Sequence, residues 1–271
     1  YGESTIHKNK TDYSQREIVM DMVELFKSFK KESVIVVGHD WGSETAWSMA
    51  KHYPNYVSKI VSLCVPYAML ELEVNENSLE KLINRKTYPK DLYPFGQWDY
   101  QVFYMKDFEK ACADMDSDPY KLVKFVFRSG SPDMQGMPFP TSIITKNNGW
   151  IPEGGSMPDI PLDTNVLNEN DVRKYSKYLE RNSFFGPNSW YVNHEDNRKF
   201  ANESDSIIKM PSLFIHATYD YVCDTLSTSW PDFMRENCTK LTEKTIDSGH
   251  WMSQEKPEEL NKVIESWIST F

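Results

Sequence analysis

The sequence predicts an α/β protein: a mostly parallel sheet with helices on both faces, interrupted by a long helical insertion. Three observations carry this. The run Val34-Ile35-Val36-Val37 is a near-continuous apolar strand, the pattern of a parallel strand covered on both faces, and it breaks at Gly38-His39-Asp40-Trp41-Gly42 into an amphipathic helix. Strands and helices alternate as far as Pro66; strand signals then vanish and return only near Met210-Pro211. The last segment carries Leu260, Val263, Ile264, Trp267 and Ile268 at helical spacing, an apolar face suited to packing on a sheet.

Taken in order, Ser14-Gln15-Arg16-Glu17 reads as a capping box, and Ile18, Met22, Leu25, Phe26 and Phe29 recur behind it as the buried face of a helix packed on the sheet. The strand and its Gly-flanked acid follow. The next helix runs to Pro54, and Val57 to Val65 form the second strand. From Pro66 onward aromatic residues crowd in, and the stretch from about Gly130 to Asp163, dense in Pro, Gly, Met and Asn, reads as a long ordered loop. Leu213 to Ala217 is a third strand, ending in Thr218-Tyr219-Asp220. Lys244 to Ser248 leads into Gly249-His250-Trp251 before the last helix. The chain thus divides into a first core part over residues 1–66, an insertion over 67–205 and a second core part over 206–271.

The strand-turn-helix at Asp40 reads as a nucleophile elbow. Flanking glycines tolerate strained backbone and close packing, so the middle side chain projects above the sheet at a helix N-terminus. A carboxylate there suits attack on a saturated, electrophilic carbon, which leaves an alkyl ester for water to cleave. That chemistry belongs to epoxides or alkyl halides. The order Asp40, Asp220, His250, each on a loop after a strand, is the nucleophile-acid-histidine order of the α/β-hydrolases. Asp224, four residues beyond Asp220, is the alternative acid. His39 flanks the nucleophile and is expected to line the pocket without a chemical step, whereas His7, His52, His194 and His216 read as structural.

From these residues on, the sequence resembles the epoxide hydrolases of the α/β-hydrolase superfamily, particularly fungal ones, over essentially the whole chain. Gly38-His39-Asp40-Trp41-Gly42 matches that family's elbow, with Ser43 where a further glycine is frequent; Tyr1-Gly2-Glu3-Ser4 resembles the turn upstream of the preceding helix. The resemblance implies an inserted cap with two tyrosines, one in a stretch like Trp98-Asp99-Tyr100-Gln101 and one in a stretch like Phe184-Phe185-Gly186-Pro187-Asn188-Ser189-Trp190-Tyr191. By position these are Tyr100 and Tyr191. It further implies that Asp40 attacks a ring carbon while both phenols bond the ring oxygen, and that His250, oriented by Asp220, activates water to release a vicinal diol. The N–H of Trp41 would be one oxyanion donor. Of the cap aromatics such as Trp98, Phe103, Tyr104, Phe125 and Phe127 most are expected in a core, and those that face the cleft would make a water-poor pocket for a small hydrophobic epoxide. The family's first four strands and a His-Gly-x-Pro loop with a second oxyanion donor have no counterpart here. The elbow strand is therefore expected on an open edge, with a preceding segment or another piece completing the sheet.

A haloalkane dehalogenase would use the same Asp, His and acid, and would also carry Trp41, but would not need the tyrosine pair. A non-catalytic ligand-binding scaffold is the alternative of another class; the retention of Asp40, Asp220 and His250 argues against it. The formal net charge of -10 over 271 residues argues against nucleic acid and anionic membrane as partners. No apolar stretch is long enough to span a bilayer. Cys64, Cys112, Cys223 and Cys238 have no metal-ligand or redox spacing, so no cofactor and no metal is expected. Free thiols in a reducing compartment, the cytoplasm, are expected, with a Cys223–Cys238 disulfide left open. A homodimer is compatible with the sequence.

Overall fold

The computed structural model describes residues 2–67 and 76–270, so Tyr1 of the N-terminal turn motif lies outside the described residues. Four parallel strands, β1 (Val34–His39), β2 (Val57–Leu63), β3 (Ser212–Ala217) and β4 (Leu241–Ile246), form one sheet in the order β1-β2-β3-β4. The two-residue period of the strands sorts their side chains onto two faces. Ile60 and Phe214 face a core made with α1 (Gln15–Ser28) and α2 (Trp41–His52), through Val19, Val23, Phe26, Ala46 and Trp47. Val61, Leu63, Leu213 and Ile215 face the opposite core, which receives Leu260 and Trp267 of α12 (Pro257–Ile268). Helices therefore cover both faces, and Val263, Ile264 and Ile268 pack partly buried beside the last pair.

Two local expectations give way. The capping box at Ser14 does not form: its side chain makes no cap bond, and the Gln15 N–H is instead taken at 2.8 Å by Asn197 Oδ1 from α9 (His194–Ala201). The buried face of α1 is Gln15, Val19, Val23 and Phe26, while Leu25 and Phe29 are 49% and 61% exposed. Both runs have helical spacing; contact with α2 and α9 selects between them. β1, by contrast, is an edge strand among the described strands, with Val37 51% exposed, the open edge that the sequence leads one to expect.

Between β2 and β3 the described residues contain helices and 3-10 turns and no strand. The helices are α3 (Glu76–Leu79), α4 (Asp99–Lys106), α5 (Phe108–Asp116), α6 (Pro119–Val126), α7 (Glu169–Asn182), α8 (Phe185–Ser189) and α9. They build cores of their own, one holding Phe103, Tyr104, Leu122 and Phe184 and one holding Val123, Val166, Leu167 and Val172. The stretch 130–163 is ordered loop with two 3-10 turns, as its composition predicts. α10 (Asp232–Asn237) and α11 (Met252–Glu255) complete the chain. Among the described residues no helix is long and apolar enough to cross a membrane.

Candidate active site

The turn at Asp40 is imposed by close packing on one side only. A Cβ at Gly38 would come within 2.1 Å of the Gly42 carbonyl oxygen, so no other residue fits there without moving backbone, whereas a Cβ at Gly42 would meet nothing within 4 Å. Asp40 sits at φ 53°, ψ -122°, a region that costs a residue with a Cβ, and its carboxylate caps α2 by accepting the Trp41 N–H at 2.7 Å on Oδ2. Ser43, where a glycine would resemble the family better, is fully buried. Its hydroxyl accepts the Leu63 N–H and donates its proton to one of two carbonyls within reach, Gly38 at 2.9 Å and Leu63 at 3.0 Å, tying the elbow to β2.

The acid and the histidine arrive from the ends of β3 and β4. Asp220 Oδ2 lies 2.6 Å from His250 Nδ1, and the other carboxylate oxygen of Asp220 accepts the N–H groups of Val222 and Cys223. His250 Nε2 lies 3.4 Å from Asp40 Oδ1, too close for a water between them. Asp224 is occupied elsewhere, accepting from Ser227 N–H and hydroxyl, so Asp220 is the acid at His250. Burial works against charge on both partners, yet their mutual attraction prevails: the Asp220 carboxylate, bonded to the ring, holds His250 well above its usual range, and His250 holds Asp220 below its own. His39 behaves differently. Burial and the neighbouring His250 lower it to about 4, and its Nε2–H donates to the His250 carbonyl at 2.8 Å. His39 thus braces the loop that carries His250.

Loop 248–251 is held from the insertion as well. Glu255 Oε2 accepts the N–H groups of both Gly249 and Gly130, and the Trp251 indole stacks on Phe127 at 3.9 Å and donates to the Val126 carbonyl at 3.0 Å. These contacts were not legible in the sequence; Gly130 gave no signal beyond its loop composition.

Tyr100, on α4, and Tyr191, just after α8, are brought together although ninety residues separate them. Their rings meet edge-to-face with centroids 5.6 Å apart, and Tyr191 also meets the Trp41 indole at 5.2 Å. Burial raises both phenols far above their ordinary range, and the negative charge of Asp40 raises each further. Both therefore stay protonated at neutral pH and lie within the field of the carboxylate. Gln101 Nε2–H donates to the Tyr100 oxygen at 3.1 Å. Tyr104 joins the same aromatic cluster, 5.7 Å from Tyr100 and 5.2 Å from Tyr191.

A cavity opens above the elbow, lined by Asp40, Trp41, Tyr100, Trp98, Cys223 and Trp230, and also by Glu44, Val65 and Gln101. Of the aromatics of the insertion, Trp98 and Tyr100 line it, while Phe103 and Tyr104 belong to the core of the insertion. Two donor sets, His39–Cys64–His250 and Asp40–Cys223–His250, lie within 4.8 Å and could reach a cation. Burial pushes the Cys64 thiol up to about 12 and raises Cys223 well above its usual range, so both thiols hold their protons and are poor ligands as they stand. All four cysteines are free; Cys223 and Cys238 sit in cores on opposite faces of the sheet, which rules out the bridge between them.

Comparison with known proteins bears on the fold. A family model described as alpha/beta hydrolase fold matches residues 1–104. The chain is 26% identical over its whole length to "Bifunctional epoxide hydrolase 2" of Sus scrofa, of which it spans 45%, and 26% identical over 97% of its length to "Epoxide hydrolase B" of Mycobacterium tuberculosis, of which it spans 80%. It thus spans less than half the length of the mammalian relatives it matches. The fold is similar to that of epoxide hydrolase A from Mycobacterium thermoresistibile, with a TM-score of 0.76 at 22% identity, covering 99% of this chain and 79% of that one. In fold the chain is an α/β-hydrolase, and these relatives in sequence and neighbour in structure are epoxide hydrolases.

Proposed function

We propose that the protein is an epoxide hydrolase that opens an epoxide to a vicinal diol through an ester on Asp40. The observation that best supports this is the line Asp220–His250–Asp40, with a 2.6 Å bond on Nδ1 and Asp40 Oδ1 3.4 Å from Nε2, beside two protonated tyrosines that feel the Asp40 charge. Asp40 Oδ2 is committed to the Trp41 N–H, which leaves Oδ1 to attack a ring carbon. As the C–O bond of the ring breaks, its oxygen gains negative charge and takes hydrogen bonds from Tyr100 and Tyr191. The Gln101 N–H occupies a lone pair of the Tyr100 oxygen, so the phenol proton is left to point elsewhere, and the cavity is where it is needed. In the second step neutral His250 removes a proton from water, the hydroxide adds to the ester carbonyl, and the charge on Oδ2 is met by the Trp41 N–H already in place. Collapse of the adduct expels the second alkoxide, which takes the proton from the His250 imidazolium, while the proton of the added hydroxyl returns to the phenolate left when a tyrosine protonated the ring oxygen; the diol leaves and Asp40 is a carboxylate again.

In this reading residues 67–205 are the cap and residues 1–66 and 206–271 the catalytic core, with Asp40, Asp220, His250, Tyr100 and Tyr191 as the catalytic residues. A dehalogenase would employ the first three alike, but a departing halide is served by N–H donors; two phenols in the field of Asp40 favour an epoxide oxygen. A scaffold without turnover has no reason to keep three charged side chains in mutual register. The four unpaired thiols fit a reducing compartment such as the cytoplasm.

The test is trapping. His250→Gln should still form the ester and fail to hydrolyse it, so intact-mass measurement after mixing with a styrene-type epoxide should show one adduct on Asp40. Binding without any adduct would overturn the covalent route. Tyr100→Phe or Tyr191→Phe should each slow adduct formation about 10- to 1000-fold, and the double variant should nearly abolish it. Dehalogenation retained by the double variant would move the assignment to that class.

A further inference from the structure

Among the residues that line the cavity, Gln101 and Trp230 each carry a buried polar atom without a hydrogen bond, one an acceptor and one a donor. Gln101 is 2% exposed and Trp230 5% exposed, and both line the cavity beside Asp40 and Tyr100. Gln101 Oε1 and Trp230 Nε1 make no hydrogen bond. A buried polar atom left unpaired in a residue that lines a cavity points to a partner bound there, a ligand or the water it displaces. The other half of the Gln101 amide is fixed, because Nε2–H donates to the Tyr100 oxygen. Oε1 belongs to the same rigid amide. Whatever satisfies it therefore lies next to the oxygen that Tyr100 bonds.

We propose that the cavity selects epoxy alcohols, substrates whose hydroxyl sits on a carbon adjacent to the oxirane ring. This rests on the epoxide hydrolase reading and names its substrate class. A hydroxyl is a small neutral group that both gives and accepts a hydrogen bond, so it can donate to Gln101 Oε1 and accept from Trp230 Nε1–H. An ether or ketone can only accept and leaves Oε1 unpaired. A carboxylate has no proton to give and would meet Asp40 and the buried Glu44, both in the same wall. Gln101 accordingly serves twice: its N–H frees the Tyr100 proton for the ring oxygen, and its carbonyl reads the neighbouring hydroxyl.

The experiment measures kcat/KM for three related compounds: an aryl epoxy alcohol, its O-methyl ether, and the parent styrene-type epoxide. The alcohol should exceed the ether at least about 10-fold, because a buried site built for a hydrogen bond rejects the analogue that lacks it. Gln101→Leu should slow all three through Tyr100 and bring the ratio of alcohol to ether close to one. Trp230→Phe should reduce that ratio chiefly by raising KM for the alcohol. Equal kcat/KM for alcohol and ether, or a preference that survives Gln101→Leu, would overturn the proposal, the orphan atoms then being served by water alone. The parent epoxide separates the two levels. If it is opened while the alcohol gains nothing, only the hydroxyl subsite falls; if none of the three is opened, the activity itself is wrong and the subsite falls with it.

Discussion

At the scale of single residues, the proposed chemistry depends on one ring. His250 accepts a water proton only when neutral, and the Asp220 carboxylate favours its charged form, so ester hydrolysis should rise with pH through a midpoint above 6.5. Asp220→Asn removes the charge that does most to stabilise imidazolium against burial, so the midpoint should move to lower pH while the rate falls by about 10²- to 10⁴-fold. Single-turnover hydrolysis of the trapped ester across pH checks both signs, and a midpoint that stays put or rises in Asp220→Asn would sink the assignment. Ser43 offers a second test. Replacing it by Ala leaves the buried Leu63 N–H without its acceptor and should cost about 1–3 kcal/mol in urea unfolding, although Ser43 touches no substrate.

At the scale of elements, the loop carrying His250 is pinned to the segment after α6 by an approach that only glycine permits. A Cβ on Gly130 would lie 2.5 Å from Gly249 Cα and 2.6 Å from Gly249 N, with Tyr219 Cβ equally near. Backbone cannot give way there cheaply. Gly130→Ala should therefore destabilise the protein by about 1–3 kcal/mol and lower ester hydrolysis more than ester formation, since it displaces the base and leaves the nucleophile on α2 in place. Thermal unfolding together with the two single-turnover rates checks this. Equal losses in both steps would show that the contact serves the whole site instead of the His250 loop.

At the scale of the whole molecule, the sheet divides the interior into two cores, and no covalent link joins them. Thermal stability should be the same with and without reductant, and four thiols should titrate after denaturation; a Tm that drops on reduction would contradict the separation of Cys223 and Cys238 across the sheet. The edge position of β1 follows from the strand order alone, and it leaves Val37 in solvent in a strand whose composition suits burial.

The sequence by itself determined whatever local pattern can encode. The apolar run before Asp40, the order of Asp40, Asp220 and His250, the strandless insertion and the buried face of α12 are all legible because period, turn chemistry and chain order are properties of neighbours in sequence. Tertiary structure decided the rest. The helical spacing of α1 allowed two faces, and contact with α2 and α9 chose Val19 and Val23 over Leu25 and Phe29. Asn197 took the place of the Ser14 cap from 182 residues away. Nothing in the sequence showed that the His250 carbonyl would claim the His39 N–H, and Gln101 looked like any glutamine on a helix until one half of its amide met Tyr100 and the other met nothing. Such pairings are between atoms distant along the chain, and only the packed interior, where water no longer serves as the universal partner, makes a bonded or orphaned group visible.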